Sequence, residues 1–299
     1  MTKTMRMLLY CDGSAMSRLA LDMGKRIALL AARAVDILVL GTTADRVKAA
    51  NEAIGTAAAE LRAADTSVAI YQRPGSVARE LIARAQAADY DMVVFGSLGR
   101  KGVKRLAAGS RACSVVAGLA TSVLVVKGRE CAAIHNILLC SAAGPASRET
   151  VLFAARLARS LGASVELLHV MSQVALEERA STADLEAEAD QLMESHTREG
   201  DHLADMLAIL SAEDIAASAV VRHGLVVEEI VGEAQCGRFD LLAIGAHTAP
   251  GIEALLTCNL ATQIMLSANR PVLIVQQNRS AESFSRIDES ISSGKAATA

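Results

Sequence analysis

Two short clusters in this chain carry residue types suited to holding a phosphate-bearing ligand. The first is a glycine loop: Gly96, two residues, Gly99, nine residues, then Gly109-Ser110. Glycine has no Cβ, so its backbone N–H groups approach an anion closely. A basic stretch (Arg100, Lys101, Lys104, Arg105) follows Gly99, and Gly109-Ser110 opens a helix-like segment that runs through Leu119. Free N–H groups at a helix N-terminus favour phosphate. The second cluster is Asp12-Gly13-Ser14, a carboxylate, a glycine and a hydroxyl directly after an apolar run. Each feature also has a plainer reading. Glycines between a strand and a helix often only turn the chain. Asp12 would serve equally as a loop or helix-cap carboxylate ahead of Ser17. The basic run is a solvated face or a steering patch for polyphosphate, with Arg100 nearest the glycines.

Other chemistries lack their residues. There is no GxxxxGK[ST], GxGxxG or GxSxG pattern, so P-loop hydrolysis, dinucleotide reduction and α/β-hydrolase chemistry are not indicated. The histidines (His135, His169, His196, His202, His223, His247) are scattered, and none forms HExxH or a zinc-like spacing. The cysteines (Cys11, Cys113, Cys131, Cys140, Cys236, Cys258) form no CxxC pair, which fits a reducing cytoplasm. Cys11 and Cys140 occupy matching strand ends, where buried packing is the simple account and oxidant sensing the alternative.

Elements that would position the clusters follow from periodicity. Nearly all-apolar runs at 7–11, 35–40, 68–71, 92–95 and 123–126 read as strands covered on both faces, the mark of a parallel sheet between helices. The spacing predicts a helix over 17–33, with Leu19, Ala20, Met23, Ile27 and Leu30 inward, and another over 77–88 with Leu81, Ile82 and Ala85. The pattern then restarts, with strands at 137–140, 165–170, 219–221, 241–244 and 272–275. Cys11 and Cys140 are 129 positions apart and Val35 and Val165 are 130, whereas Gly96 and Gly245, like Val123 and Val272, are 149 apart. The chain is therefore an internal duplication whose second copy carries about nineteen extra residues within 172–218. That segment has helical periodicity through Leu185, Leu192, Leu203, Leu207 and Leu210, predicting an extended helix or helical hairpin. Domains are expected at 1–128 and 135–277, side by side across a short hinge, with a disordered tail at 278–299. If the first strand of each copy is central, ligand binds between the loops after its first and fourth strands, where the strand order reverses.

Composition narrows the partners. Thirty basic and thirty-three acidic residues leave a net charge of −3, and aromatic residues make up 2 %, which argues against nucleic acid. No apolar block approaches the roughly 20 residues needed to span a bilayer, and Met1 to Met7 carries no secretory leader pattern. No membrane partner and a cytoplasmic location are expected.

The spacing Gly96, Gly99, Gly109-Ser110 after the fourth strand, with Cys11-Asp12-Gly13-Ser14, Ser17 and Ala20 at the first, resembles the ATP-binding signature of universal stress proteins. The likeness covers both copies, roughly residues 5 to 277, so the whole resembles a tandem member of that family. It implies an α/β fold of two tandem doubly wound domains, each a five-stranded parallel sheet with helices on both faces, adenine nucleotide alpha hydrolase-like. By that resemblance Asp12 meets adenine, Leu40 closes the second strand against the base, and Gly96, Gly99, Gly109 and Ser110 hold ribose and phosphates. Gly13 and Ser14 complete the first loop. Arg111-Ala112 stands where the family often has an aliphatic residue and a hydroxyl, which implies either one phosphate contact fewer and weaker binding or compensation by Arg111, beside Arg100 as a phosphate contact. The implied cofactor is ATP, with or without Mg²⁺, and no dedicated metal site is expected.

In the second copy Ser141 replaces the aspartate, Thr248 the second glycine and Cys258-Asn259 the Gly-Ser pair, so its pocket reads as degenerate. The family commonly pairs its last strands in a dimer; here 123–126 and 272–275 would pair within one chain, with a further homodimer open. The resulting expectation is a stress-response module that binds an adenine nucleotide in its first domain. The alternatives are a slow ATPase or phosphotransferase, which lacks an obvious general base, and a nucleotide-independent scaffold.

Overall fold

Every apolar run named above becomes a strand in the computed structural model, which describes residues 4–40, 44–97, 111–128, 133–141, 145–171, 188–236, 238–246 and 252–276. The first half runs β1 (Met5–Cys11), α1 (Ala15–Ala31), β2 (Ala32–Val39), α2 (Ala44–Ala63), β3 (Ser67–Gln72), α3 (Val77–Gln86), β4 (Met92–Gly96), α4 (Arg111–Gly118) and β5 (Ser122–Val126). The second runs β6 (Asn136–Ser141), α5 (Pro145–Leu161), β7 (Ser164–Met171), α6 (Ala189–Glu194), α7 (Arg198–Ala212), β8 (Ala217–His223), α8 (Val226–Gln235), β9 (Leu241–Ala246), α9 (Ile252–Ser267) and β10 (Val272–Gln276).

The ten strands form one sheet in the order β3-β2-β1-β4-β5-β10-β9-β6-β7-β8. Within each half all neighbours are parallel. At the centre β10 meets β5 antiparallel, with Val272, Leu273 and Ile274 opposite Val125, Leu124 and Val123. The first strand of each half is flanked on both sides, as expected of the doubly wound fold. Central strands are buried on both faces, which is why they read as unbroken apolar runs. Met7, Leu9 and Cys11 join a core beneath α1, α2, α5, α6 and α7. Leu8 and Tyr10 join the opposite core, beneath α3, α4, α8 and α9.

Two expectations about α1 need correction. Helix α1 ends at Ala31, because Ala32 already pairs with Met5 in the sheet. Its buried stripe runs through Ala20, Met23, Gly24, Ile27, Ala28 and Ala31, leaving Leu30 on the flank at 51 % exposure. The inserted segment forms two helices: α6, opened by a capping box between Glu188 and Gln191, and α7, capped by Thr197 Oγ1 on the Gly200 N–H. They meet at a turn through His196, whose φ is 51°. Leu192, Leu203 and Leu210 are buried, whereas Leu185 and the tail at 278–299 lie outside the described residues. Among the described residues no helix is long and apolar enough to cross a membrane.

Beyond the paired backbones, Lys127 fastens the halves. Its ammonium donates to the carbonyl of Met265, and to those of Leu266 at 3.3 Å and Ala268 at 2.9 Å, at the C-terminal end of α9. A cation there also opposes the negative end of the helix dipole. Replacing Lys127 with Met keeps the stem but removes these bonds, and should lower stability by about 1–2 kcal/mol. A urea titration checks this; superimposable wild-type and Lys127→Met curves would mean the clamp is idle.

Candidate functional site

The strand order reverses between β1 and β4, so the chain leaving β1 crosses one face as α1 and the chain leaving β4 crosses the other as α4. That divergence opens a crevice at the carboxyl ends of the two strands. Asp12-Gly13-Ser14 turns the chain out of β1. Ser14 caps α1, its Oγ accepting the Ser17 N–H at 3.3 Å. Ser17 Oγ donates to the Ser14 carbonyl at 3.0 Å and accepts the Asp12 N–H at 3.1 Å. The Asp12 carboxylate accepts the Ser14 N–H at 3.0 Å and lies 3.5 Å from an Arg46 guanidinium nitrogen. Burial works against the Asp12 charge, but the hydrogen bonds from Ser14 and Ser17 and the Arg46 charge outweigh it. Its carboxyl is held below the ordinary 3.8.

Two glycines in this edge have structural causes. Gly13 sits at φ +77°, and a Cβ there would lie 2.1 Å from the Arg46 carbonyl oxygen. A Cβ on Gly96 would lie 2.4 Å from the Met16 carbonyl oxygen, because the first turn of α1 rests directly on the end of β4. The sequence reading assigned Gly96 to ligand approach; close packing of helix on strand is an independent requirement for it. Leu40, one residue beyond β2, is buried at 3 % exposure and donates its N–H to the Cys11 carbonyl at 3.4 Å.

The structure thus brings Asp12, Gly13, Ser14, Leu40 and Gly96 to one sheet edge. Gly99, Arg100, Gly109 and Ser110 lie outside the described residues, as does the side chain of Arg111, whose backbone opens α4. The basic residues Lys101, Lys104 and Arg105 also lie outside them. Arg46 escaped the sequence reading: it belongs to α2, and only the fold places it against Asp12. An ionised carboxylate at the end of β1, with buried Leu40 at the neighbouring strand end, is chemistry able to accept from an amine donor next to an apolar surface.

The second half differs at the same place. Ser141, closing β6, bonds through Oγ to His202 Nε2 of α7 at 2.7 Å, and its carbonyl accepts from His169 Nδ1 at 3.2 Å. The reading of the histidines as scattered is corrected here: His169 and His202 stand with ring centroids 6.3 Å apart, near His223. A neutral serine–histidine pair replaces the charged Asp12–Arg46 pair. Thr248 and the side chains of Cys258 and Asn259 lie outside the described residues. Among the described residues, no group of three His, Cys, Asp or Glu is placed to hold a metal ion.

Comparison with known proteins gives a family. The model of the universal stress protein family matches residues 4–127 and again 133–276. A universal stress protein of Archaeoglobus fulgidus DSM 4304 is similar in structure, with a TM-score of 0.66 at 16 % identity over 93 % of this chain and 98 % of that one. A putative universal stress protein of Pseudomonas aeruginosa UCBPP-PA14 gives 0.69 at 16 % identity, over 94 % of this chain and 96 % of its own. No match was found among curated proteins.

Gly96→Ala should cost about 1–3 kcal/mol, the range for an overpacked contact, in thermal or urea unfolding without any nucleotide. Unchanged stability would remove the packing requirement at Gly96. Asp12 contributes stability that is present above its unfolded value and is lost as pH falls through the lower folded value. Asp12→Asn keeps an oxygen for the Ser14 N–H but not the charge. Its stability should therefore fall less steeply than that of the wild type below about pH 4, as followed by urea midpoints across an acid series.

Proposed function

Because this chain belongs to the universal stress protein family, with both halves matched, we propose that it binds an adenine nucleotide, ATP, in the crevice of its first half. The observation that carries this reading is the reversal of strand order between β1 and β4. It sets Asp12-Gly13-Ser14 against Gly96, directly ahead of the glycine loop. In this reading Asp12 accepts the exocyclic amine of adenine and Leu40 borders the base. Gly96, Gly99, Gly109 and Ser110 hold ribose and phosphates, with Arg100 and Arg111 balancing phosphate charge. Gly13 and Ser14 shape the turn that aims Asp12. Any Mg²⁺ arrives with the nucleotide.

The second half acts as the in-chain partner, supplying through β10 the strand that a separate subunit would otherwise supply to β5. Its Ser141 offers no carboxylate for adenine. The protein is then a cytoplasmic stress-response module whose chemistry is binding rather than turnover.

The test is the ultraviolet spectrum of freshly purified protein, with any released small molecule identified by mass. A chain with no Trp and three Tyr makes bound adenine conspicuous. One adenine nucleotide per chain is expected, lost in Asp12→Ala and in Gly109→Trp. Two per chain would assign binding to the second half as well. None, together with no thermal shift on adding ATP, would overturn the proposal, since a ligand of the folded state must raise its apparent stability.

A further inference from the structure

Helix α7 is tied to the sheet by a polar cluster whose chemistry differs from that of the Asp12–Arg46 contact in the first half. Ser141 stands at its centre, with Oγ on His202 Nε2 at 2.7 Å and its carbonyl on His169 Nδ1 at 3.2 Å. A carbonyl oxygen only accepts, so His169 Nδ1 carries a proton and Nε2 is the nitrogen left to titrate. Ser141 and His169 are buried, at 8 % and 6 % exposure. His223 ends β8 on the same sheet face as His169, because His169 pairs with Val221 and alternate residues share a face. Three histidines from β7, α7 and β8 thus gather where α7 crosses the carboxyl edge.

The charged groups facing them come from two sides. Glu199 and Asp205 of α7 favour a protonated ring, and His223 of β8 opposes one on His169. Among the described residues, β6 brings the hydroxyl and carbonyl of Ser141 to the cluster. Burial is the largest influence on both rings and holds each below the ordinary 6.5; at His202 the neighbouring His169 adds to it. The fold therefore holds these rings neutral. What they contribute to stability is present in full above the unfolded value of 6.5 and is lost as pH falls toward the folded values.

We infer that the α6–α7 unit is an acid-released clasp: on mild acidification His169 and His202 become facing cations, and α7 lifts from the carboxyl ends of β6 and β7. The first half provides an internal reference. There the equivalent contact is Asp12 with Arg46, both already charged in this pH range, so α2 has no reason to move.

Hydrogen exchange of the full chain at about pH 7.5 and about pH 5.5, corrected for intrinsic rates, tests this. Protection across 198–212 should fall by about tenfold or more at the lower pH, while that across 44–63 holds. In a His169→Asn, His202→Gln double variant, Asn retains a donor for the Ser141 carbonyl and Gln a partner for its hydroxyl. Protection of α7 should then be equal at both pH values. Equal protection in the wild type, or the same loss in the double variant, would overturn the clasp. Should that variant not fold, imidazole resonances of the wild type decide: titration of both rings below 6.5 together with α7 opening supports it, and titration at or above 6.5 overturns it.

Discussion

The antiparallel pairing of β5 with β10 is the constraint on which the rest of this molecule depends. Either half alone would end in a strand that is apolar at four of its five positions and has one unpaired edge, an arrangement that invites aggregation. Joined, the two strands run through the middle of a ten-stranded sheet and are buried on both faces. Leu124 and Leu273 face one core, and Val123, Val125, Val272 and Ile274 the other, so both hydrophobic cores pass uninterrupted from half to half. Because the strands of the two halves run in opposite directions, their carboxyl edges lie at opposite ends of the sheet. The crevice beside Asp12 and the cluster around Ser141 therefore do not share a surface.

Duplicated sequence did not remain duplicated chemistry. Asp36 of β2 is buried against Arg84 at 2.5 Å, Arg6 at 3.1 Å and the Tyr90 hydroxyl, with the Arg84 guanidinium over the Tyr71 ring at 3.8 Å. In the second half Glu166 takes the place of Asp36, but Glu233 stands where Arg84 would be. Two acids facing each other without a cation would be costly to bury. Arg238 bridges them, at 2.8 Å to Glu233 and 3.5 Å to Glu166, and Arg222 adds a second contact to Glu233 at 2.7 Å. The sign of one helix position changed and its surroundings changed with it. Replacement of Asp12–Arg46 by Ser141–His202 follows the same rule, with the compensation reaching into the inserted helix.

Strands and duplication were legible because burial on both faces writes itself as an unbroken apolar run, and because offsets between repeats survive substitution. The edge where β1 and β4 end was legible for a related reason: a doubly wound sheet has one crevice per reversal of strand order. Leu30 was misplaced because one residue of helix is a turn of about 100°, enough to move a side chain from stripe to flank. Arg46 and the histidine cluster were illegible in principle. Residues 141, 169, 202 and 223 are separated by long stretches of chain, and no local spacing relates them. The packing role of Gly96 was hidden too, since a glycine that accommodates a helix and one that accommodates a ligand are the same letter.

The covalent link between halves alters what protein concentration can do. Two separate subunits that share a sheet through their last strands fall apart on dilution, and the stability of each is tied to how many copies the cell holds. Here β10 is presented to β5 by the same chain, across a short connection, at an effective concentration of roughly millimolar order or higher. Assembly of the ten-stranded sheet is thus a first-order event, indifferent to expression level. The ratio of the Asp12-bearing half to the histidine-bearing half is one to one by construction, whether the cell contains a handful of copies or many.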